Sequence, residues 1–247
     1  MNSKIIEIKK EIKKVIVGHN ELIDSLLIGL IANGHILVEG VPGLAKTTAI
    51  NAISKSLGID FKRIQFTPDL LPSDVTGTEI YSPKTGEFSI KKGPAFTNLL
   101  LTDEINRAPA KVQAALLEVM SERQITIGDD TFKVPDPFLV MATQNPVESE
   151  GAYKLPEAQL DRFMLKVNVG YNSFDEELDI VSRVAINGFE TVNQVASIDD
   201  IKAIKENHKK VHVDDEMRKY MMKIIFATRD PQKYGIDGIS NSSSKLL

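Results

Sequence analysis

The chain has 247 residues, 42% hydrophobic and 26% charged, and a formal net charge of -4. This composition excludes disordered and fibrous classes and allows one large domain, or a medium domain with a small one. The weakly negative balance argues against a dedicated nucleic-acid binder, and the absence of cysteine leaves no disulfide framework and no thiolate metal site.

Taken in order, residues 4–16 place Ile5, Ile8, Ile12, Val15 and Ile16 on one helical face, with Lys9, Lys10, Lys13 and Lys14 on the solvated side. This segment has no long apolar core, so it does not read as a signal peptide. No stretch approaches the roughly 20 apolar residues that span a bilayer, so no membrane insertion is expected. A cytoplasmic location fits the lack of cysteine. A second helix is predicted over about 21–32, and a short buried strand over 35–39 that stops at Gly40. A helix over 47–57, ended by Gly58, is followed by strands over 61–66, 98–102, 138–143 and 162–169. Strands alternating with helices imply an α/β fold with a parallel sheet covered on both faces.

Two segments break the rhythm. Residues 67–97 are turn-rich, with 78–82 and 88–92 able to pair as a hairpin around Lys84-Thr85-Gly86. Residues 124–134 form a second expected hairpin, with Gly128-Asp129-Asp130 as its turn. After Gly170 the pattern is helical only, over about 174–188, 198–209 and 214–228. The expected division is a nucleotide-binding core over 1–170 and a small all-α unit over 171–247, with a polar, low-complexity end at 240–244.

Gly40-Val41-Pro42-Gly43-Leu44-Ala45-Lys46-Thr47 follows a strand and opens a helix, the context that a phosphate-cradling loop requires. Backbone N–H groups of such a loop point at phosphate oxygens. Lys46 neutralises the β- and γ-phosphates of ATP, the Thr47 hydroxyl takes one position on Mg²⁺, and Thr48 follows in the first helical turn. Ala45 stands where Gly is usual. The bland alternative is a glycine turn beside a chance Lys-Thr pair, which the flanking strand and helix oppose.

Leu99-Leu100-Leu101-Thr102-Asp103-Glu104 delivers two acids at the C-terminal edge of a strand, where α/β sheets bind ligands. Asp103 is expected to hold Mg²⁺ through water, and Glu104 to orient and deprotonate the attacking water. Such a pair alone reads equally well as a helix cap; about 57 residues after a phosphate loop it reads as catalytic. Asn145, ending Met141-Ala142-Thr143-Gln144-Asn145, either contacts water or the γ-phosphate or caps the turn before Pro146. Arg162 stands near the start of the fifth strand, and either reaches a neighbouring subunit's γ-phosphate or forms an ion pair, as with Asp161. His208 and His212 lie four apart with no acid or cysteine constellation to make them a metal site.

Together these segments resemble the MoxR family of AAA+ ATPases. The likeness rests on Val15-Ile16-Val17-Gly18, the loop 40–47, and Thr102-Asp103-Glu104-Ile105-Asn106-Arg107-Ala108-Pro109. It extends through Ala142-Thr143-Gln144-Asn145-Pro146 and residues 155–163, and covers 4 to about 236. Ala45 is usual in this family. The resemblance implies a five-stranded core followed by a helical lid, and a homo-oligomeric ring, commonly a hexamer, with ATP between subunits. It implies that Asn145 is sensor 1, that Arg162 is an arginine finger acting in trans, and that Val17 and Gly18 lie near the adenine. It also implies that 67–97 is the helix-2 insert and 124–134 the pre-sensor-1 hairpin, both facing the pore. A von Willebrand factor A domain protein is the expected partner, with chaperone-like remodelling or maturation of a protein client as the expected work.

Two positions depart from the family pattern. His19 replaces the common Gln after Gly18. After Lys233-Tyr234-Gly235 no Ser-Pro-Arg occurs, so the sensor 2 arginine is missing and the lid is expected to be truncated or diverged, with turnover impaired. Competing readings are a nucleic-acid motor, opposed by the acidic balance and the lack of an aromatic-basic groove, and a nucleotide-dependent scaffold with little turnover.

Overall fold

A computed structural model describes residues 2–236, apart from 42, 146–152, 154 and 187. The polar end at 240–244 lies outside the described residues. The chain divides into two compact units, residues 1–205 and 206–247.

In the first unit the elements run α1 (Asn2–Ile12), α2 (Asn20–Ala32), β1 (Ile36–Glu39), α3 (Lys46–Leu57) and β2 (Phe61–Gln65). Next come α4 (Pro72–Thr76), β3 (Gly77–Ser82), β4 (Glu87–Lys92), β5 (Leu99–Asp103), a 3₁₀ turn (Ile105–Arg107) and α5 (Ala110–Glu122). Then come β6 (Gln124–Ile127), β7 (Asp130–Lys133), β8 (Leu139–Gln144), α6 (Glu157–Leu160), β9 (Leu165–Asn168), α7 (Phe174–Ile186) and α8 (Ile198–His208), whose end passes into the second unit.

Five strands make one sheet in the order β2-β5-β8-β1-β9, all neighbours parallel. The expected fold class holds. Successive side chains of a strand face opposite sides, and in the three central strands both sides are buried. Ile36, Val38, Leu99, Leu101, Leu139 and Met141 join one core, which also takes residues from α1, α2 and α3. Leu37, Leu100, Val140 and Ala142 join the other, built with α5 and the β6–β7 hairpin. Both interrupting segments form antiparallel hairpins, β3–β4 and β6–β7. Asp130 pairs with Ile127, so the second turn is shorter than expected, and Gly128 takes its positive φ of 59°. The fifth strand begins later than expected. Arg162 and Phe163 lie in the turn after α6, where Phe163 N–H donates to Leu160 O at 3.0 Å. The helix α5 was not expected, and it covers the sheet with Val112, Leu116, Leu117, Val119 and Met120.

The second unit, described to residue 236, holds α9 (Asp215–Arg229) and a 3₁₀ turn (Gln232–Tyr234). The Asp214 carboxylate caps α9 by accepting from Met217 N–H at 2.8 Å, and Arg229 lies in its last turn, as the helix dipole favours.

His35, just before β1, is buried against Phe138 with ring centroids 5.6 Å apart. Val140 N–H donates to its Nδ1 at 3.0 Å, so Nδ1 carries no proton and Nε2–H faces Met120 O at 3.1 Å. Burial pushes its pKa down to about 4; the Met120 hydrogen bond opposes this, and Arg123 adds to it. Between pH 6.5 and 4 the unfolded chain takes up a proton that the folded chain refuses, so stability falls as pH falls through that window. We expect this one group to remove about 2 kcal/mol between pH 7 and pH 5. Urea unfolding at the two pH values should show that loss in the unmodified chain and not in His35→Gln.

Candidate active site

The C-terminal ends of β1, β5 and β8 meet at one cavity of about 300 Å³. Its first wall is the loop from β1 to α3. Gly40, Gly43, Leu44 and Ala45 line it, followed by Lys46, Thr47 and Thr48. A Cβ on Gly40 would fall on the carbonyl oxygen of Val169, the strand-end neighbour, so only glycine lets the loop leave β1 here. Ala45 is left-handed, with φ 51°, and starts α3. The first N–H groups of α3 have no helical acceptor and open toward the loop. Val41 is half-buried and does not line the cavity, and Pro42 lies outside the described residues.

Lys46 Nζ donates to Gly40 O at 2.6 Å. Burial pushes the Lys46 pKa below the ordinary lysine value, and the nearby charges of Asp103 and Glu104 pull it partly back.

The opposite wall is the acid pair. Asp103 ends β5, and its Oδ2 accepts from Arg63 Nε at 2.6 Å. Thr143 on β8, almost fully buried, donates its hydroxyl to Asp103 Oδ1 at 3.2 Å and accepts from Glu104 N–H at 3.0 Å. Glu104 is left-handed, with φ 54°, which a non-glycine residue adopts only when its surroundings impose it. Those surroundings are the 3₁₀ turn, the wholly buried Ile105, and Gln113, whose Nε2 donates to Ile105 O and Ala108 O at 3.1 Å. Arg107 Nε meets Glu104 Oε2 at 2.8 Å. Asn145, with Gln144, completes this wall.

The loop, Asp103, Glu104 and Asn145 are thus brought together. Val17, Gly18 and Arg162 are not among the residues lining this cavity. Asn172 Nδ2 donates to Val17 O at 3.4 Å, and Gly18, φ 69°, packs against Asn172 and Glu176. Beside them, burial lowers the His19 pKa, partly offset by Glu176 and Glu177. The exposed Arg162 guanidinium donates to Ser121 Oγ at 3.0 Å and Ala158 O at 2.8 Å. Among the described residues no group of three or more His, Cys, Asp or Glu is arranged to hold a metal by itself. Sequence reading missed Arg63, Thr143, Arg107 and Gln113. Arg107 and Thr143 lie inside the family-like segments 102–109 and 142–146, while Arg63 and Gln113 carry no local mark.

Chemically, the site offers a helix start and the Lys46 ammonium to a polyphosphate, and hard carboxylate and hydroxyl oxygens to a divalent ion. Those donors suit Mg²⁺, which takes one or two carboxylates together with phosphate oxygens.

A family model described as the ATPase family associated with various cellular activities (AAA) matches residues 35–165. Chaperone MoxR1 of Mycobacterium tuberculosis is 48% identical over 94% of this chain, which spans 61% of that protein's length. Protein YeaC of Bacillus subtilis is 49% identical over 89% of the chain and 69% of its own length. A crystal structure of a protein from Cytophaga hutchinsonii superposes with a TM-score of 0.87 at 51% identity, covering 95% of this chain and 72% of that one. The chain belongs to the AAA ATPase family, within its MoxR group.

Proposed function

We propose that the chain binds Mg²⁺·ATP in the cavity between Gly40 and Asn145 and hydrolyses it within a homo-oligomeric, hexameric ring that remodels or matures a protein client. The observation that carries this reading is the meeting of a phosphate-type loop, an acid pair and a polar amide around one cavity. The loop from Gly40 to Thr48 cradles the phosphates, with Lys46 as the cation. Thr47 and Asp103 hold Mg²⁺, which when bound neutralises charge developing on the phosphates. Glu104 takes the proton of the attacking water, and Asn145 positions that water. Val17 and Gly18 serve the base. The segment that follows Gly170 acts as a lid. A von Willebrand factor A domain protein is the proposed partner and the cytoplasm the proposed location; among the described residues no helix is long and apolar enough to cross a membrane.

Arg162 is assigned to the neighbouring subunit's nucleotide. Its exposure, and its absence from the lining of its own chain's cavity, support that role. The test mixes Arg162→Ala subunits with Lys46→Ala subunits, each expected to be inactive alone. Recovered ATPase activity in mixed rings is the expected result; no recovery at any ratio counts against action in trans.

A further inference from the structure

Both carboxylate oxygens of Asp103 are already used by the protein. Thr143 holds Oδ1, and Arg63 holds Oδ2 through Nε at 2.6 Å. Arg63 comes from β2, the edge strand beside β5, where it lies opposite Leu101, and Gln65, two residues on, lies opposite Asp103. It lines the same cavity as Lys46. Its side chain keeps 52% of its exposure, against 13% for Asp103. An ion pair so open to water adds little to stability, so holding the fold does not account for it. The pair does matter electrostatically, because a divalent cation served by Asp103 and a guanidinium on the same oxygen repel each other at a few ångströms.

We propose that Arg63 is the built-in counter-cation of Asp103, competing with the divalent metal for that carboxylate and thereby setting how strongly metal and nucleotide assist each other's binding. This rests on the reading of Asp103 as the metal's carboxylate. Arg63 is a positioning residue: it neutralises and orients Asp103 through Oδ2, and its charge opposes the cation that the same carboxylate serves. The competition lowers the metal's contribution to nucleotide affinity.

The measured quantity is the ratio of Kd values for a fluorescent non-hydrolysable ATP analogue in EDTA and in excess Mg²⁺. That ratio is the coupling between the two ligands. Arg63→Gln should raise it about tenfold, the scale of one unit charge opposing a divalent ion at a water-accessible site. Arg63→Lys, which keeps the charge, should stay near the unmodified ratio. A ratio unchanged in Arg63→Gln, with both Kd values moving together, overturns the proposal. A ratio that falls also overturns it, because Arg63 would then assist the metal. Asp103→Asn separates the two layers. It should abolish most of the coupling, and if the coupling survives, the metal reading of Asp103 itself fails, whatever Arg63 does.

Discussion

Replacing Glu104 by Gln should cut ATP hydrolysis about 10²- to 10³-fold while leaving nucleotide binding intact, the size of effect that loss of a positioned general base produces. The geometry gives the reason. Glu104 sits in a left-handed conformation at the end of β5, pinned by its N–H on Thr143 and by the turn that Ile105 and Gln113 anchor. This holds the carboxylate at the cavity wall beside Asp103. An amide of the same shape keeps the packing and loses the capacity to accept a proton. Phosphate release under steady-state conditions, with a parallel nucleotide titration, reads both halves. Undiminished turnover would remove Glu104 from the mechanism. A large loss of binding would make it structural. The ion pair with Arg107 at 2.8 Å holds Glu104 Oε2 and so orients the carboxylate, and turnover should depend on that neighbour as well.

The fold was legible wherever burial alone dictates pattern. The runs at 36–39, 99–103 and 139–144 are apolar on both faces because both faces are covered, and each ends in polar residues where the sheet meets the cavity. The hairpins were legible from their glycine turns. The helix α5 went unread although Val112, Leu116 and Met120 repeat at helical spacing, since the chemistry-bearing motif at 102–109 carries no sign of a helix beyond Pro109. In the site, residues of one contiguous loop or strand end were readable. Contacts set by strand register were not. Arg63 and Asp103 are 40 residues apart and meet because β2 pairs with β5. Thr143 bridges Asp103 and Glu104 because β8 lies beside β5. His35 contacts backbone 85 and 105 residues away. Such contacts arise from topology, which pattern along one chain does not encode residue by residue.

The second large effect concerns Lys46. Its ammonium group is partly withdrawn from water, feels the charges of the acid pair, and among the described residues donates to one backbone carbonyl, Gly40 O. A lysine carries three donors, so the group retains capacity for phosphate oxygens without breaking a strong ion pair. The arrangement is prepared to receive a polyanion, and removing the charge takes away that preparation. Lys46→Ala should weaken Mg²⁺·ATP binding by about 3 kcal/mol, roughly a hundredfold in Kd, as expected when one member of a desolvated charge pair is deleted. The fold should persist, since Lys46 contributes no buried apolar surface to either core. The decisive measurement is a calorimetric titration with ATP in excess Mg²⁺, made on Glu104→Gln protein with and without Lys46→Ala so that hydrolysis does not intrude. The account predicts saturable binding in the first and binding about a hundredfold weaker in the second. Equal affinity in the two proteins, or no binding in either, would contradict the assignment of the Gly40–Thr48 cavity as the nucleotide site.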